Sequence, residues 1–469
     1  MSPDLPPPLA RRTLLDVAPI HASIKERPED FLVDELPLFD PTGEGEHLYV
    51  GVQKRGVDHQ EMVARLARHF GVPSSSIGTA GMKDRHAITL QTASIHLCQR
   101  NAPAVDPQWD DMGILWSMRH RHRLRRGQLR GNRFSIRLRS IDPLLVPTIW
   151  RRMQSLVETG LPDAYGPQRF GLFQTNHVLG WCLLHGQWDR FLAVMLGEGS
   201  ALDSDRLKRA RALAAAGQFQ DAAALLGGGQ RNERRVLLAC AKGRPLPMAI
   251  HAAGAQALEF FVSGIQSAVF NRVVDLRLGA GTIHRPLLGD ILWRPGAHGR
   301  FHFDEARASD SPQRLDIEAR IAAGELSPSG PLFGTEMDEP AGEVLAMERE
   351  AMAAFRLDGG EWRSSQYAAL GARRPLRVPI RNPHVEASMD EHGGSIRLAF
   401  DLPAGAFATS LLHELLGAAP EDASRRRHRD QSSSSESSSA SSSESSSESS
   451  SDPDEVDSGP SSPSSSSDD

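Results

Sequence analysis

Two stretches of this chain alternate with a period of two. Phe134, Ile136 and Leu138 are interleaved with Ser135, Arg137 and Arg139, and Ile396, Leu398 and Phe400 with Arg397 and Ala399. That spacing puts one set of side chains on a covered face and the other on the opposite face of an extended strand. Ile88-Thr-Leu-Gln-Thr-Ala-Ser-Ile-His-Leu97 is rich in β-branched residues and reads as a further strand. The chain must therefore build a sheet. The first of these strands continues the basic run Arg119-His-Arg-His-Arg-Leu-Arg-Arg-Gly-Gln-Leu-Arg130, so its outer face is expected to be cationic. A row of guanidiniums on a rigid strand can track phosphates. As a charge run alone it reads equally well as a solvated face. His120-x-His122 lacks the carboxylate or thiolate partners that a metal would need.

Helical patterning is clear between Asp58 and Gly71. Asp58 can cap the helix, and Glu61 completes a capping-box pattern. Met62, Val63, Leu66, Ala67 and Phe70 share one face, Gly71 suits the position past the end, and Pro73 prevents resumption. Residues 98–112 read as a loop. Residues 175–260 are largely Ala/Leu/Arg helical, and Ser263–Arg277 has an amphipathic helix pattern. Gly227-Gly-Gly229 follows no strand, which argues against a dinucleotide loop. Residues 281–335 read as short strands and loops, followed by a helix near Glu343–Phe355. In Ile24–Glu35 a turn at Arg27-Pro-Glu-Asp30 leads into a short apolar strand, expected as an edge hairpin with Phe31 in the core. In Asp401-Leu-Pro-Ala-Gly-Ala-Phe-Ala-Thr-Ser410 the Pro and Gly make a turn, and Thr409 or Ser410 can cap the next helix.

At 469 residues, one to three domains and a large core are expected. No apolar run approaches the roughly 18 to 20 residues of a membrane span, and the N-terminus has no apolar signal core. Cytoplasm is the expected location. Cys98, Cys182 and Cys240 are too scattered for a zinc site or a disulfide framework and read as small buried hydrophobes. The net charge of −6 conceals an asymmetry, because residues 431–469 hold nine acids and no Lys or Arg. Without that segment the body is mildly basic, which suits an anionic partner. Residues 1–20 are expected to be loose, and 425–469 to be a disordered Ser/acidic tail.

The chemistry centres on Gly78-Thr-Ala-Gly-Met-Lys-Asp-Arg-His-Ala87. Gly78 and Gly81 permit a tight backbone path. Asp84 lies between Lys83 and Arg85, and neighbouring cations keep a carboxylate ionised, as a nucleophile requires. Lys83-Asp84-Arg85 alone would pass for a surface turn. The longer wording Ala80-Gly-Met-Lys-Asp-Arg-His-Ala-Ile-Thr89 resembles the active-site motif of the TruD family of tRNA pseudouridine synthases. Further segments resemble that family in the same order: Ile24–Glu35, Gly131-Asn-Arg-Phe134, Gly160–Gly171, whose Gly, Pro and aromatic content by itself reads as a linker, and Asp401–Ser410.

The resemblance implies an α+β fold: a pseudouridine-synthase catalytic core with a mixed, largely antiparallel sheet, plus an inserted α/β TRUD domain. The core would comprise residues 21–160 and 377–420, and the insertion 161–376. It implies isomerisation of uridine in tRNA, at position 13, with no cofactor and no metal. No obligate protein partner and no membrane is expected. Asp84 would be the catalytic nucleophile or base, with Lys83, and also Lys25, keeping it ionised and oriented. Asn132 would hydrogen-bond the base edge and Phe134 stack on it, while Lys25, Phe31 and Phe407 would line the substrate pocket. Phe270-Asn271 would buttress the cleft. An extruded base, one carboxylate and exclusion of water suffice for this reaction. Two other readings compete. A non-catalytic RNA-binding module would keep the arginines and aromatics but should lack the lone carboxylate. A nucleoside or glycoside hydrolase would need a second carboxylate to activate water, with Glu35 or Glu46 available for it.

Overall fold

The strands anticipated from alternation pair with one another. The computed structural model describes residues 12–97, 107, 109–171, 173–198, 204–227, 229–294, 299–364, 367 and 369–424. The expectations for residues 1–11, for Cys98 and for the tail from 425 fall outside these.

In chain order the principal strands are β1 (Phe31–Pro37), β2 (His47–Arg55), β3 (Ile77–Thr79), β4 (Ile88–His96), β5 (Met112–His120), β6 (Leu129–Leu138), β7 (Ile291–Arg294), β8 (Gly299–His302), β9 (Ser327–Leu332), β10 (Ala372–Pro375), β11 (Arg381–Asp390) and β12 (Gly393–Pro403). The large sheet runs β11-β12-β6-β1-β4-β2-β5, with β3 also on β4. The β1/β4 pair is parallel and the other pairs are antiparallel. The fold is α+β with a mixed, largely antiparallel sheet, as expected. A smaller sheet runs β8-β7-β9-β10.

Register decides what shares a face. Val33, Phe134 and Phe400 lie side by side across β1, β6 and β12, and Val33, Thr89 and Lys54 across β1, β4 and β2. This face is covered at both ends. Helix α1 (His59–Phe70) packs Met62, Leu66 and Phe70 with Val50, Val52 and Ile95. Helices α2 (Val146–Thr159) and α7 (Ala408–Leu416) pack Ile149, Met153, Leu411 and Leu415 with Ile136, Leu398 and Phe400. Between the two apolar patches the covered face turns polar, with Lys54, Thr89, Gln91 and Glu35 all buried. A covered polar strip is costly unless it is satisfied or used.

Elsewhere, helix α3 (Asn176–His185) packs on the long helix α4 (Ala255–Gly279). The remaining labelled helices are α5 (Ser311–Ala322) and α6 (Gly342–Ala354). Helix α4 is not amphipathic: Gly264 to Asn271 are buried without interruption, so it is a central core helix. Among the described residues no single helix is long and apolar enough to cross a membrane.

Several expectations are corrected here. The cationic outer face of β6 is neutralised from within: Arg133 pairs with Asp401, Arg137 with Asp390, and the buried Arg139 with both Asp30 and Asp390. Strand β1 is central, not an edge, because both β6 and β4 hydrogen-bond to it. Strand β5 carries no alternation, since it is an outer strand leaving Leu115, Trp116 and Met118 exposed. Helix α5 lies inside the segment read as strands and loops, started by the Asp310 carboxylate accepting from Gln313 N–H. Asp58 does cap α1, but Glu61 bonds Arg65 instead of closing a capping box. Ser410 donates to the Ala164 carbonyl and caps nothing. Residues 12–20 are tied down, Arg12 N–H to Asp275, Leu14 N–H to Glu414 and Ile20 N–H to Leu416 O. Residues 161–166 are buried and so form no open linker.

Candidate active site

The Asp84 loop is fixed from below and from above. Below it, β3 lies on β4 with Gly78 opposite Ser94. Above it, Leu124 N–H donates to Ser94 Oγ and Gly127 N–H to the Ala80 carbonyl. A Cβ at Gly78 would stand 2.3 Å from the Leu124 carbonyl oxygen and 2.6 Å from Ser94 Oγ. Glycine is required at 78 by this close approach, whereas Gly81 has room around it. Gly78→Ala should therefore destabilise the fold by about 1–3 kcal/mol, the usual range for overpacking. Thermal melting reads this directly, and a melting temperature equal to the parent's would mean that the Leu124 segment simply moves aside.

Three groups hold Asp84 itself. Lys54, fully buried, donates to the Asp84 carbonyl (2.8 Å) and the Val57 carbonyl (2.8 Å). Burial pushes the Lys54 ammonium down to about 8, against the opposing pull of Asp84 and Asp58. His86 N–H donates to Asp84 Oδ1 (3.1 Å), and Lys25 Nζ makes a close ion pair with Asp84 Oδ2. Lys25 is 2% exposed and has a left-handed backbone (φ 58°), unusual for a side-chain-bearing residue and maintained by its surroundings. Its ammonium also lies 4.7 Å from the centre of the Phe31 ring and 3.8 Å from Asp422. Burial raises the Asp84 pKa. The charge and hydrogen bond of Lys25, the His86 amide and the His86 ring outweigh it, so the carboxyl ends below its usual range. The Asp84 side chain keeps 29% of its surface open.

Lys83 takes a different place from the one expected. Its ammonium lies 2.8 Å from Glu35 Oε2 and 2.8 Å from Asn132 Oδ1, and its partners do not include Asp84. Neighbouring side chains on an extended loop diverge, so Lys83 reaches the sheet while Asp84 reaches Lys25. With Oδ1 of Asn132 accepting from Lys83, the amide nitrogen is the group left to face a ligand. Glu35 Oε1 also accepts from Thr92 N–H (3.2 Å), while Oε2 holds the ion pair with Lys83 and accepts no hydrogen bond.

The aromatic residues divide. Phe134 stacks on Phe400 (5.4 Å between centroids) and meets Phe31 edge-on (6.3 Å). Both Phe31 and Phe134 are buried, so they serve the core as well as border the Asp84 site. Phe407 is half-buried in a separate cluster with Tyr165 (6.0 Å) and the Arg374 guanidinium (5.9 Å). Asn271 holds Tyr165 there by accepting from its N–H and donating to its carbonyl. Phe270 sits edge-on to the same ring, at 5.7 Å. The structure thus brings together Lys25, Phe31 and Asp84, and beside them Lys83, Asn132 and Phe134, but shows no contact from Phe407 to Asp84.

Sequence reasoning missed Lys54, His86, Thr89 and Gln91. Thr89 Oγ1 and both amide atoms of Gln91 are buried without a partner on the same face as Asn132. The signal for Lys54 was present: it stands in phase with the buried Val50 and Val52, where a lysine should not be.

The chain is similar to known proteins over most of its length. The family model for tRNA pseudouridine synthase D (TruD) matches residues 11–415. A tRNA pseudouridine synthase D from Geobacter sulfurreducens is 36% identical over 408 residues, 84% of this chain and 93% of the relative. One from Syntrophotalea carbinolica is 33% identical, over 85% of this chain and 96% of the relative. One from Thermus thermophilus is 31% identical, over 87% and 95%. A crystal structure from Methanosarcina mazei, described as that of a candidate tRNA pseudouridine synthase D, shares the fold with a TM-score of 0.72. It is 22% identical, and the match covers 88% of this chain and 97% of that one. The chain belongs to the tRNA pseudouridine synthase D (TruD) family.

Proposed function

We propose that this chain isomerises uridine to pseudouridine in tRNA, at position 13, by extruding the nucleotide and using Asp84 as the single catalytic carboxylate. The observation that carries this reading is the partly open Asp84 carboxylate, held ionised by the buried Lys25 beside Phe31. The reaction breaks the C1′–N1 bond, turns the uracil and forms a C1′–C5 bond, so no atom is gained or lost. Asp84 either attacks C1′ or removes the proton from C5 once the new bond has formed. Both tasks need the ionised carboxylate. Asn132 would offer its amide nitrogen to a uracil carbonyl, oriented by Lys83. Phe31 and Phe134 would wall the base, and Phe407 would bound the site from the Tyr165 side. Residues 21–160 and 377–420 would act as the catalytic core and 161–376 as the inserted domain. Because Lys83 and Thr92 occupy Glu35, that residue is poorly placed to activate the water a hydrolase needs. The test is incubation with unmodified tRNA and mapping at single-nucleotide resolution. Pseudouridine at position 13 and its loss in a U13C transcript are expected; release of free uracil would assign hydrolysis instead.

A further inference from the structure

We infer that Arg169 forms a seat for a backbone phosphate of the RNA, apart from the pocket at Asp84; this rests on the RNA reading above. Arg169 lies in the short 3-10 turn Pro167–Phe170, immediately after the buried run 161–166. Its guanidinium stands over the Tyr165 ring (5.0 Å) and the Phe260 ring (5.7 Å), and Nε donates to Ser267 Oγ (3.0 Å). A second guanidinium, that of Arg374, covers Tyr165 at 4.3 Å. Asp163 answers the Arg374 charge at 2.8 Å, and Nη2 donates to the Gly405 carbonyl. Among the described residues no carboxylate forms an ion pair with Arg169. Burial, and then the charges of Arg374 and Arg126, push the Arg169 pKa below the usual arginine range, with Tyr165 acting the other way.

Two guanidiniums, those of Arg169 and Arg374, thus share one carboxylate around an aromatic floor. A half-buried cation with no counter-ion is costly, and here its orientation is nevertheless fixed by two rings and a hydroxyl. That combination fits an anion arriving from outside. The planar fork matches a phosphate through two parallel hydrogen bonds. Phe260, 38% exposed beside it, offers a face to a neighbouring base, which an inorganic ion would not use.

The test compares the full-length parent with Arg169→Ala and Arg169→Lys in equilibrium tRNA binding across a KCl series. Arg169→Ala should bind roughly tenfold more weakly at low salt, the loss expected of one charge-assisted contact. Its log K against log[salt] slope should be shallower by about one. Arg169→Lys should keep the parental slope. An unchanged slope in Arg169→Ala overturns the seat, as does an equal affinity loss in both variants without a slope change. Should Arg169→Ala fail to fold, Arg169→Gln, which keeps the polar stem and removes the charge, carries the same expectation and the same refutation. A parent enzyme that modifies tRNA while the variant slopes stay parental sinks the phosphate seat alone. A parent that makes no pseudouridine sinks the reaction.

Discussion

Asp84→Asn will bind tRNA close to parental affinity and form no measurable pseudouridine. The substitution is isosteric, and the Asn oxygen can still accept from Lys25 or from His86 N–H, the two donors that hold the carboxylate now. What is lost is the negative charge, and with it both the nucleophile and the base. A fall of at least about a thousandfold in single-turnover rate is expected, since losing one acid–base function alone costs up to about four orders of magnitude. The fold should survive. Lys25 loses its closest counter-ion but keeps Asp422 at 3.8 Å, and the Asp84 loop stays anchored by Lys54 through the backbone. Because Asp84 is partly open to solvent, the stability cost should be about 1–2 kcal/mol, below that of breaking a fully buried pair. The decisive measurement pairs filter-binding with pseudouridine mapping on the same sample. Turnover within tenfold of the parent would remove Asp84 from the chemistry.

Period-two patterns were legible in the sequence because burial on one face enforces them. Phe134, Ile136 and Leu138 face the core, and Phe400 meets Phe134 across the β6/β12 pair. Strand β5 was illegible for the converse reason: an outer strand with exposed Leu115, Trp116 and Met118 carries no such signature. Charge was read less well than hydrophobicity. The same arginines that look like a phosphate track along β6 spend themselves on Asp30, Asp390 and Asp401, residues distant in sequence whose approach only the fold creates. Lys83 shows the same limit at the site. Sequence adjacency made it the natural partner of Asp84, yet the loop turns it toward Glu35 and Asn132. The cation that answers Asp84 comes from 59 residues upstream. The Gly160–Gly171 stretch looked like a linker by composition, but its glycines and aromatics allow buried close packing, and Asn271 grips its backbone from α4.

Lys25→Met should separate the electrostatic task of Lys25 from its packing. Methionine keeps much of the apolar stem against Phe31 but removes the ammonium. In the parent, burial works to raise the Asp84 pKa and Lys25 supplies the largest opposing influence, leaving the carboxyl below 3.8. Without Lys25, burial prevails over the weaker help of His86, and the pKa moves above that value. The carboxylate needed for reaction then exists only at higher pH. The acid limb of the single-turnover profile should shift upward, with a loss of about 10- to 100-fold at mildly acidic pH that shrinks as the pH rises. Stability should change sign in parallel. In the parent, the contribution of Asp84 is present above its unfolded pKa near 3.8 and is lost as pH falls through the depressed folded value. In Lys25→Met the raised folded pKa makes protonation favour the native state, so the variant should lose less stability on acidification than the parent. A purely structural Lys25 would lower the rate by the same factor at every pH. A variant profile parallel to the parent's would therefore refute the electrostatic assignment, whatever its height.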